Sequence, residues 1–255
     1  MSGKLIVSRR GLLRTGAAGI GGLALSGCDA LNGNSAFRDL LLSAEHAHRA
    51  SQRLVGRGAL AREYAAADMS PEFRANGSRT VADSAYRRLL GRRFAGWALA
   101  VEGLVEKPLA LPLAALQAMP QRVQITRHDC VEGWSAIGQW QGPQLSHVLR
   151  MAGLLPGARY IVFHCADRLG DVPYYESIDL VDAMHPQTIL AWRMNGGALP
   201  EAHGAPLRLR VERQLGYKHA KFVMRIEAVA SLSGLYGGKG GYWEDSLDYH
   251  WYAGI

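Results

Sequence analysis

Short strand-like runs separated by turn residues dominate the chain from about residue 93 onward. These runs lie at residues 98–105, 121–126, 160–165, 188–194, 207–211 and 221–230. Two short helical patterns, at residues 112–119 and 145–152, interrupt them without a steady alternation of strand and helix. Because a doubly wound parallel sheet requires that alternation, the pattern predicts an α+β fold with a mixed, mainly β core and short peripheral helices.

The residues before this region show patterns typical of helices. Apolar residues recur at helical spacing over residues 37–55, and residues 59–67 form a second short helical pattern before Ser70 and Pro71. We therefore expect residues 29–72 to form a polar tether with N-terminal helices, and residues 73–255 to form one catalytic domain.

The first 28 residues are typical of an export signal. Arg9 and Arg10 precede a leucine pair, and the uncharged residues 15–27 are too few for a membrane span, which needs about 20 apolar residues. The four residues ending at Cys28 read Leu-Ser-Gly-Cys and resemble the lipobox of bacterial lipoproteins, in which the cysteine is acylated. The sequence thus predicts twin-arginine export to the periplasm and a lipid anchor at Cys28 in the inner membrane.

The charge distribution argues against a nucleic-acid partner. The formal net charge is +7, but four of these positive charges precede residue 29, where no acidic residue occurs, so the remainder carries about +3. The later residues contain no run of lysine and arginine longer than a pair. A non-specific polyanion site normally needs a denser basic patch.

One cysteine lies among polar and aromatic residues at mid-chain. Residues 127–135 read Arg-His-Asp-Cys-Val-Glu-Gly-Trp-Ser, which places Cys130 beside an imidazole, two carboxylates and an indole. Such a thiol can be a metal ligand, a nucleophile activated by histidine, or half of a disulfide with Cys165. The cluster alone leaves these three alternatives open.

Two blocks of sequence carry a family resemblance. Residues 127–135 with 140–145, and residues 203–209 with 215–221, resemble the molybdopterin-binding domain of the sulfite oxidase family. The likeness runs from about residue 73 to the C-terminus. It is greatest to the bacterial periplasmic branch that contains catalytic subunits of methionine sulfoxide reductase systems. The resemblance implies the mainly β core of that family and a molybdopterin cofactor carrying molybdenum.

The resemblance also implies roles for individual residues. Cys130 would be the molybdenum ligand, since a soft thiolate suits such a metal. The implied contacts to the pterin and its phosphate are Asn76, Glu132, Cys165, His203, Arg208, His219, Ala220 and Lys221. Arginine, lysine and main-chain N–H groups are suitable donors to a phosphate. Cys165 and His203 replace the threonine and asparagine of the methionine sulfoxide reductase branch.

The implied reaction is oxygen-atom transfer at a sulfur or nitrogen centre, such as sulfoxide reduction or sulfite oxidation. Around Cys130, the substrate-side candidates are Arg127, His128, Trp134 and Tyr175, because a cation or imidazole can polarise an S–O or N–O oxygen. No Cys-x-x-Cys-His haem-attachment motif occurs, so electrons would be exchanged with a separate partner, such as a membrane cytochrome or quinone-linked subunit.

Two other functions remain open at this point. A Cys/His hydrolase would use Cys130 with a distant histidine and would need no metal. A non-catalytic lipoprotein would use the same fold only to bind a partner or ligand. Molybdenum and pterin content distinguishes both of them from the oxidoreductase.

Overall fold

The computed structural model describes residues 34–255, so the predicted signal and the proposed lipid anchor at Cys28 lie outside the described residues. The chain divides into two compact units at Gly56 and Arg57. In the first unit, helix α1 spans Ser35–Gly56 and confirms the helical pattern at 37–55. Its first turn is capped by Asn34, whose Oδ1 accepts from the Phe37 N–H at 3.3 Å. Among residues 34–255, no helix has the length and apolar character required to cross a bilayer.

The predicted second helix at 59–67 is wrong. This segment is extended, and the Tyr64 N–H donates to the Ile125 carbonyl at 2.9 Å beside a bridge between Glu63 and Thr126. The Gln187 side chain bonds both main-chain groups of Ala61, at 2.7 and 2.9 Å. Long-range partners thus satisfy the backbone that a helix would have satisfied locally, and only Ala66–Asp68 forms a 3₁₀ turn.

A five-stranded mixed sheet forms the centre of the second unit. Its strand order is β2-β1-β11-β5-β6, with β1 and β11 parallel and the other pairs antiparallel. The strands are β1 Ala98–Gly103, β2 Leu109–Pro112, β5 Tyr160–Leu169, β6 Val172–Asp179 and β11 Val223–Val229.

Two smaller sheets complete the β structure. A four-stranded sheet has the order β3-β4-β8-β9, and β10 pairs with β7. The strands are β3 Gln121–Asp129, β4 Ser135–Pro143, β7 Ile189–Ala191, β8 Arg193–Met194, β9 Gly197–Ala198 and β10 Arg208–Arg210. The strand predicted at 188–194 is therefore two strands, because Trp192 breaks it and donates instead to the Gln141 carbonyl.

Five short helices surround the sheets. They are α2 Ser84–Gly91, α3 Leu113–Ala118, α4 Leu145–Ala152, α5 Leu180–Ala183 and α6 Tyr242–Leu247. The prediction of a mainly β, α+β fold is confirmed. Strands β2, β4, β6 and β9 and helices α2, α5 and α6 were not predicted. Strand β4 contains two glycines and β6 contains Pro173, residues that weaken a strand pattern.

The main hydrophobic core lies between α4 and the five-stranded sheet. Leu145, Val148, Leu149 and Ala152 recur at helical spacing on α4 and are fully buried. They belong to the same cluster as buried residues of β1, β5, β10 and β11. The core therefore fixes the start of β10, where Arg208 lies, relative to the central sheet.

Candidate active site

A cavity of about 240 Å³ opens between the end of β3, the segment after Gly216 and the loop that precedes α2. Nine of the residues singled out from the sequence line it: Asn76, His128, Cys130, Glu132, Trp134, His203, Arg208, His219 and Lys221. They come from four separate parts of the chain. The fold thus brings the two sequence blocks together around one space.

A tight turn presents Cys130 to this cavity. The Gly133 N–H donates to the Cys130 carbonyl at 3.0 Å, and the Cys130 N–H donates to the Trp134 carbonyl at 2.9 Å. Gly133 has φ of 85°, a conformation that favours glycine. The thiol is free, as is that of Cys165, so the structure holds no disulfide between them.

The thiol has an amide as its hydrogen-bond partner. Asn76 Nδ2 donates to Cys130 Sγ at 3.2 Å. A Cys/His nucleophile would need an imidazole in that place. His128 instead has its Nδ1 3.0 Å from Nη1 of Arg210. The arrangement favours a metal ligand over a hydrolytic nucleophile.

Arg208 is a buried cation, and within residues 34–255 its guanidinium makes no hydrogen bond to a carboxylate. Its Nη1 and Nη2 donate to the carbonyls of His203 and His219 at 3.1 and 3.4 Å, while its Nε has no partner. Burial lowers the pKa of Arg208 to about 9, and the positive charge of Arg210 adds to the effect. The guanidinium remains charged at neutral pH and lies 4.9 Å from the centroid of the Trp140 ring.

Arg210, unlike Arg208, is paired with a carboxylate. Its Nε and Nη2 donate to the two carboxylate oxygens of Glu212 at 2.9 and 2.5 Å, and both side chains are completely buried. This bidentate pair is internally neutral. Among the described basic residues of the cavity, Arg208 is therefore a buried positive charge with no hydrogen-bonded carboxylate, and Lys221 lies beside it.

Three further basic side chains at the cavity have lowered pKa values. Burial, followed by the charge of Arg208, lowers the pKa of Lys221 to about 7 and that of His203 to about 4. His219 is also neutral, because burial and the charge of Arg210 hold its pKa well below the usual value. Its Nε2–H donates to the Gln214 carbonyl at 3.0 Å, so its buried and unpartnered Nδ1 is an acceptor.

The protonation of His128 follows from its neighbours. Because an arginine can only donate, the 3.0 Å contact with Arg210 makes Nδ1 the acceptor and places the proton on Nε2. Burial, together with the charges of Arg210 and Arg208, holds the pKa of His128 well below its usual value. His128 is therefore a neutral imidazole with one N–H at Nε2, packed against His219 at 5.0 Å between ring centroids.

Gly216 provides the space for this imidazole. A Cβ at Gly216 would lie 2.5 Å from His128 Nε2 and 3.3 Å from the Asp129 carbonyl oxygen. We expect Gly216→Ala to lower the free energy of unfolding by about 1–3 kcal/mol, as overpacking does, in urea unfolding followed by circular dichroism. Gly234→Ala is the matched control, since a Cβ there meets no atom within 4 Å. Equal unfolding midpoints for the two variants would contradict the close contact.

Arg127 and Tyr175 do not border the cavity, which corrects their proposed place on the substrate side. Side chains alternate between the two faces of a strand, so His128 faces inward and the exposed Arg127 pairs with Asp129 at 2.9 Å. On β6 the same alternation places Tyr174 at the cavity and directs Tyr175 to the carboxylate of Asp245.

Cys165 and Ala220 do not line the cavity either. The Cys165 thiol lies 3.8 Å from the Phe163 carbonyl oxygen, and burial raises its pKa well above the usual value. Ala220 is fully buried, and its carbonyl accepts from the Leu209 N–H at 2.8 Å. Glu132 lies at the exposed rim of the cavity, where its carboxylate accepts from the Trp134 indole N–H at 3.1 Å.

Sequence reasoning missed several lining residues. They include Phe73, Arg74, Ser78, Asp167, Leu169, Tyr174, Tyr217, Trp243 and Tyr249. Asp167 is buried, one of its carboxylate oxygens has no partner, and burial raises its pKa. The aromatic-rich C-terminal segment gave a signal for the last two of these residues, whereas Asp167 sits in a strand with no motif around it.

Comparison with known proteins gives a family match. The sequence profile of the oxidoreductase molybdopterin binding domain matches residues 90–235. The chain is 43% identical over 160 residues to a putative protein-methionine-sulfoxide reductase subunit YedZ1 of Azospira oryzae, covering 63% of this chain and 56% of that protein. It is 38% identical over 144 residues to the protein-methionine-sulfoxide reductase catalytic subunit MsrP of Ralstonia nicotianae, covering 52% and 44%.

Among solved structures, the sulfane dehydrogenase SoxCD of Paracoccus pantotrophus is similar, with 25% sequence identity and a TM-score of 0.48 over 53% of this chain and 38% of that chain. The chain spans about half the length of the curated relatives that it matches.

Proposed function

The chain belongs to the oxidoreductase molybdopterin-binding domain family, and from that premise we propose that it reduces a sulfoxide with electrons from a separate redox partner. The predicted family and its molybdenum-carrying molybdopterin cofactor are confirmed by the family match. The observation that carries the proposal is a free thiol and an uncompensated buried cation on the walls of one cavity, Cys130 and Arg208.

The residues of the cavity fit such a cofactor. Arg208 Nε, His203 Nδ1 and His219 Nδ1 are buried without partners, although buried polar groups are nearly always paired. The cation and the acceptor nitrogen of His219 suit the phosphate and the N–H groups of a pterin, respectively. A single soft thiolate at Cys130 suits a metal whose other ligands come from the cofactor.

When bound, the cofactor supplies two-electron oxygen-atom transfer at the metal. Cys130 would hold the metal as a thiolate, and the Asn76 amide would stabilise that thiolate through its N–H. Arg208 would offset the charge of the phosphate. Reduction of one sulfoxide consumes two electrons and two protons and yields a thioether and water, so the partner must supply the electrons.

His128 is the group best placed to orient the substrate oxygen. It is neutral and carries its proton on Nε2, and it lines the same cavity as Cys130. A neutral donor can hydrogen-bond a sulfoxide oxygen without introducing a further charge. The sequence offered Arg127, His128, Trp134 and Tyr175 as substrate-side candidates. We assign the positioning role to His128.

An aromatic wall supports a thioether-sized substrate. Tyr217 and Trp243 both pack against Tyr249, at 5.1 and 5.9 Å between ring centroids, and all three line the cavity. Aromatic faces bind polarisable sulfur groups favourably. This wall favours a sulfoxide over a small inorganic anion as the substrate.

A dye-coupled screen on molybdenum-loaded protein tests the proposed function. Reduced viologen dye is offered with dimethyl sulfoxide, methionine sulfoxide or trimethylamine N-oxide, and sulfite oxidation is followed with an electron acceptor. We expect reduction of the sulfoxides. Sulfite oxidation as the sole activity would overturn the substrate assignment, and no turnover on any of these by fully loaded protein would overturn the proposed function.

We propose that the protein acts in the periplasm as a subunit that receives electrons from a membrane cytochrome or quinone-linked partner. The relative from Ralstonia nicotianae is named as a catalytic subunit, which supports the existence of a partner. The signal-like residues before Cys28 support export, and acylation of that cysteine would keep the protein at the inner membrane.

Lysine in place of both Arg9 and Arg10 is expected to stop export, because a twin-arginine signal requires the arginine pair. Immunoblots of periplasmic and cytoplasmic fractions measure the effect, with Lys substitutions at Arg57 and Arg62 as the control. Undiminished protein in the periplasm would refute this export route.

A further inference from the structure

Three main-chain carbonyls converge on the ammonium group of Lys221. Its Nζ donates to the carbonyl oxygens of Asn76 at 2.7 Å, Ala202 at 3.0 Å and Ser78. In its protonated form the Lys221 amine has three N–H donors and no acceptor. All the donors of Lys221 are therefore used on protein carbonyls, although the residue lines the cavity.

The loop held by Lys221 is the one that contacts the thiol. Asn76 Nδ2 lies 3.2 Å from Cys130 Sγ, and the Asn76 Oδ1 accepts from the Gly77 N–H at 2.8 Å. Gly77 has φ of 62°, so the loop turns sharply at this point. The turn and the hydrogen bond together direct the NH2 end of the Asn76 amide at the sulfur.

We propose that Lys221 is a positioning residue that holds the Asn76 amide on Cys130, and that it is not a direct ligand of the cofactor phosphate. The phosphate of the cofactor would then be bound by Arg208, whose buried Nε has no partner among the described residues. The significance of the amide contact rests on the proposed role of Cys130 as metal ligand. Partners that orient a metal ligand commonly set its basicity and its direction.

The loop held by Lys221 lies outside the part of the chain that matches the family profile. Asn76 and Ser78 precede the residues that match the family profile, which begin at position 90. Lys221 lies within the match, so its side chain ties an upstream segment to the domain across 145 positions. Without that tie, we expect the loop to leave Cys130, a residue that is 8% exposed in its presence.

The test is the rate at which N-ethylmaleimide modifies Cys130 in the full chain, purified from cells that make no molybdopterin. Peptide mass spectrometry separates this thiol from Cys28 and Cys165. We expect Lys221→Met to raise the rate at least about tenfold, because the reagent reaches a thiol that the loop had covered. Lys221→Arg, which keeps several donors, should restore the slow rate.

Arg208→Met is the matched control, since it removes one positive charge from the same cavity without touching the loop; its rate should stay within about twofold of the original. Adding Asn76→Ala to Lys221→Met should change nothing further, because the amide has already left the sulfur. If Lys221→Met does not fold, Lys221→Gln, with two N–H donors, should give an intermediate rate.

An unchanged Cys130 rate in Lys221→Met, or one equal to that of Arg208→Met, would overturn the proposal. Because the assay involves neither metal nor turnover, its outcome is independent of the proposed function. Protein that reduces no sulfoxide but shows the expected rates of Cys130 modification would contradict the proposed function and leave the role of Lys221 intact.

Discussion

Serine in place of Cys130 is expected to lower sulfoxide reduction more than about 100-fold, because even the outer partners of metal ligands contribute 10- to 100-fold. A hydroxyl at this position is a hard and poorly ionised group, unlike a thiolate. The fold should persist, since the turn is held by the main-chain hydrogen bonds of Cys130 to Gly133 and Trp134. The Asn76 amide can still donate to the serine oxygen.

Steady-state reduction of methionine sulfoxide by cofactor-loaded protein measures this effect, with circular dichroism to check the fold. Cys165→Ser is the matched control, because it removes the other described thiol, which does not line the cavity. Its activity should stay within a few-fold of the original. Turnover of Cys130→Ser at the original rate would exclude the thiolate as a required metal ligand.

Methionine in place of Arg208 is expected to act in opposite directions on cofactor retention and on the stability of cofactor-free protein. Losing one partner of a buried charged contact costs about 2–5 kcal/mol, which corresponds to roughly 30-fold or more in affinity for the anionic cofactor. Cofactor-free protein should unfold at an equal or higher urea concentration, because a buried cation without a carboxylate partner has been removed.

Cofactor retention is measured as pterin content after extended dialysis, and stability as the urea midpoint of protein from cells that lack the cofactor. Arg150→Met serves as the control, since Arg150 is exposed on α4 and its guanidinium donates to the Ser146 hydroxyl. A loss of stability without a loss of pterin would show that Arg208 is a structural residue.

The cluster around Cys130 and the block containing Arg208 were predictable because each is a contiguous motif whose chemistry is local. Which residues of each strand face the cavity was not predictable. The strand pattern ended at Thr126, whereas β3 continues to Asp129, and this extension decides that His128 faces inward and Arg127 outward. Strand β6 was not predicted, so Tyr174 and Tyr175 could not be told apart.

Contacts between distant segments account for the remaining differences. The sequence shows a lysine at position 221, but the three carbonyls that surround its ammonium belong to residues as far away as Asn76. The extended segment at Ala61 likewise depends on the side chain of Gln187, 126 positions later. Local periodicity carries no information about partners at such separations, so tertiary contacts override it.

The metal and pterin content of the purified protein tests the central claim most directly. The full chain is produced in cells supplied with molybdate, its fold is verified, and molybdenum is measured by mass spectrometry alongside fluorescence of the oxidised pterin. The family membership and the cavity of Cys130 and Arg208 predict about one molybdenum and one pterin per chain, with molybdenum lost in Cys130→Ser. Folded protein that contains neither molybdenum nor pterin would contradict the account.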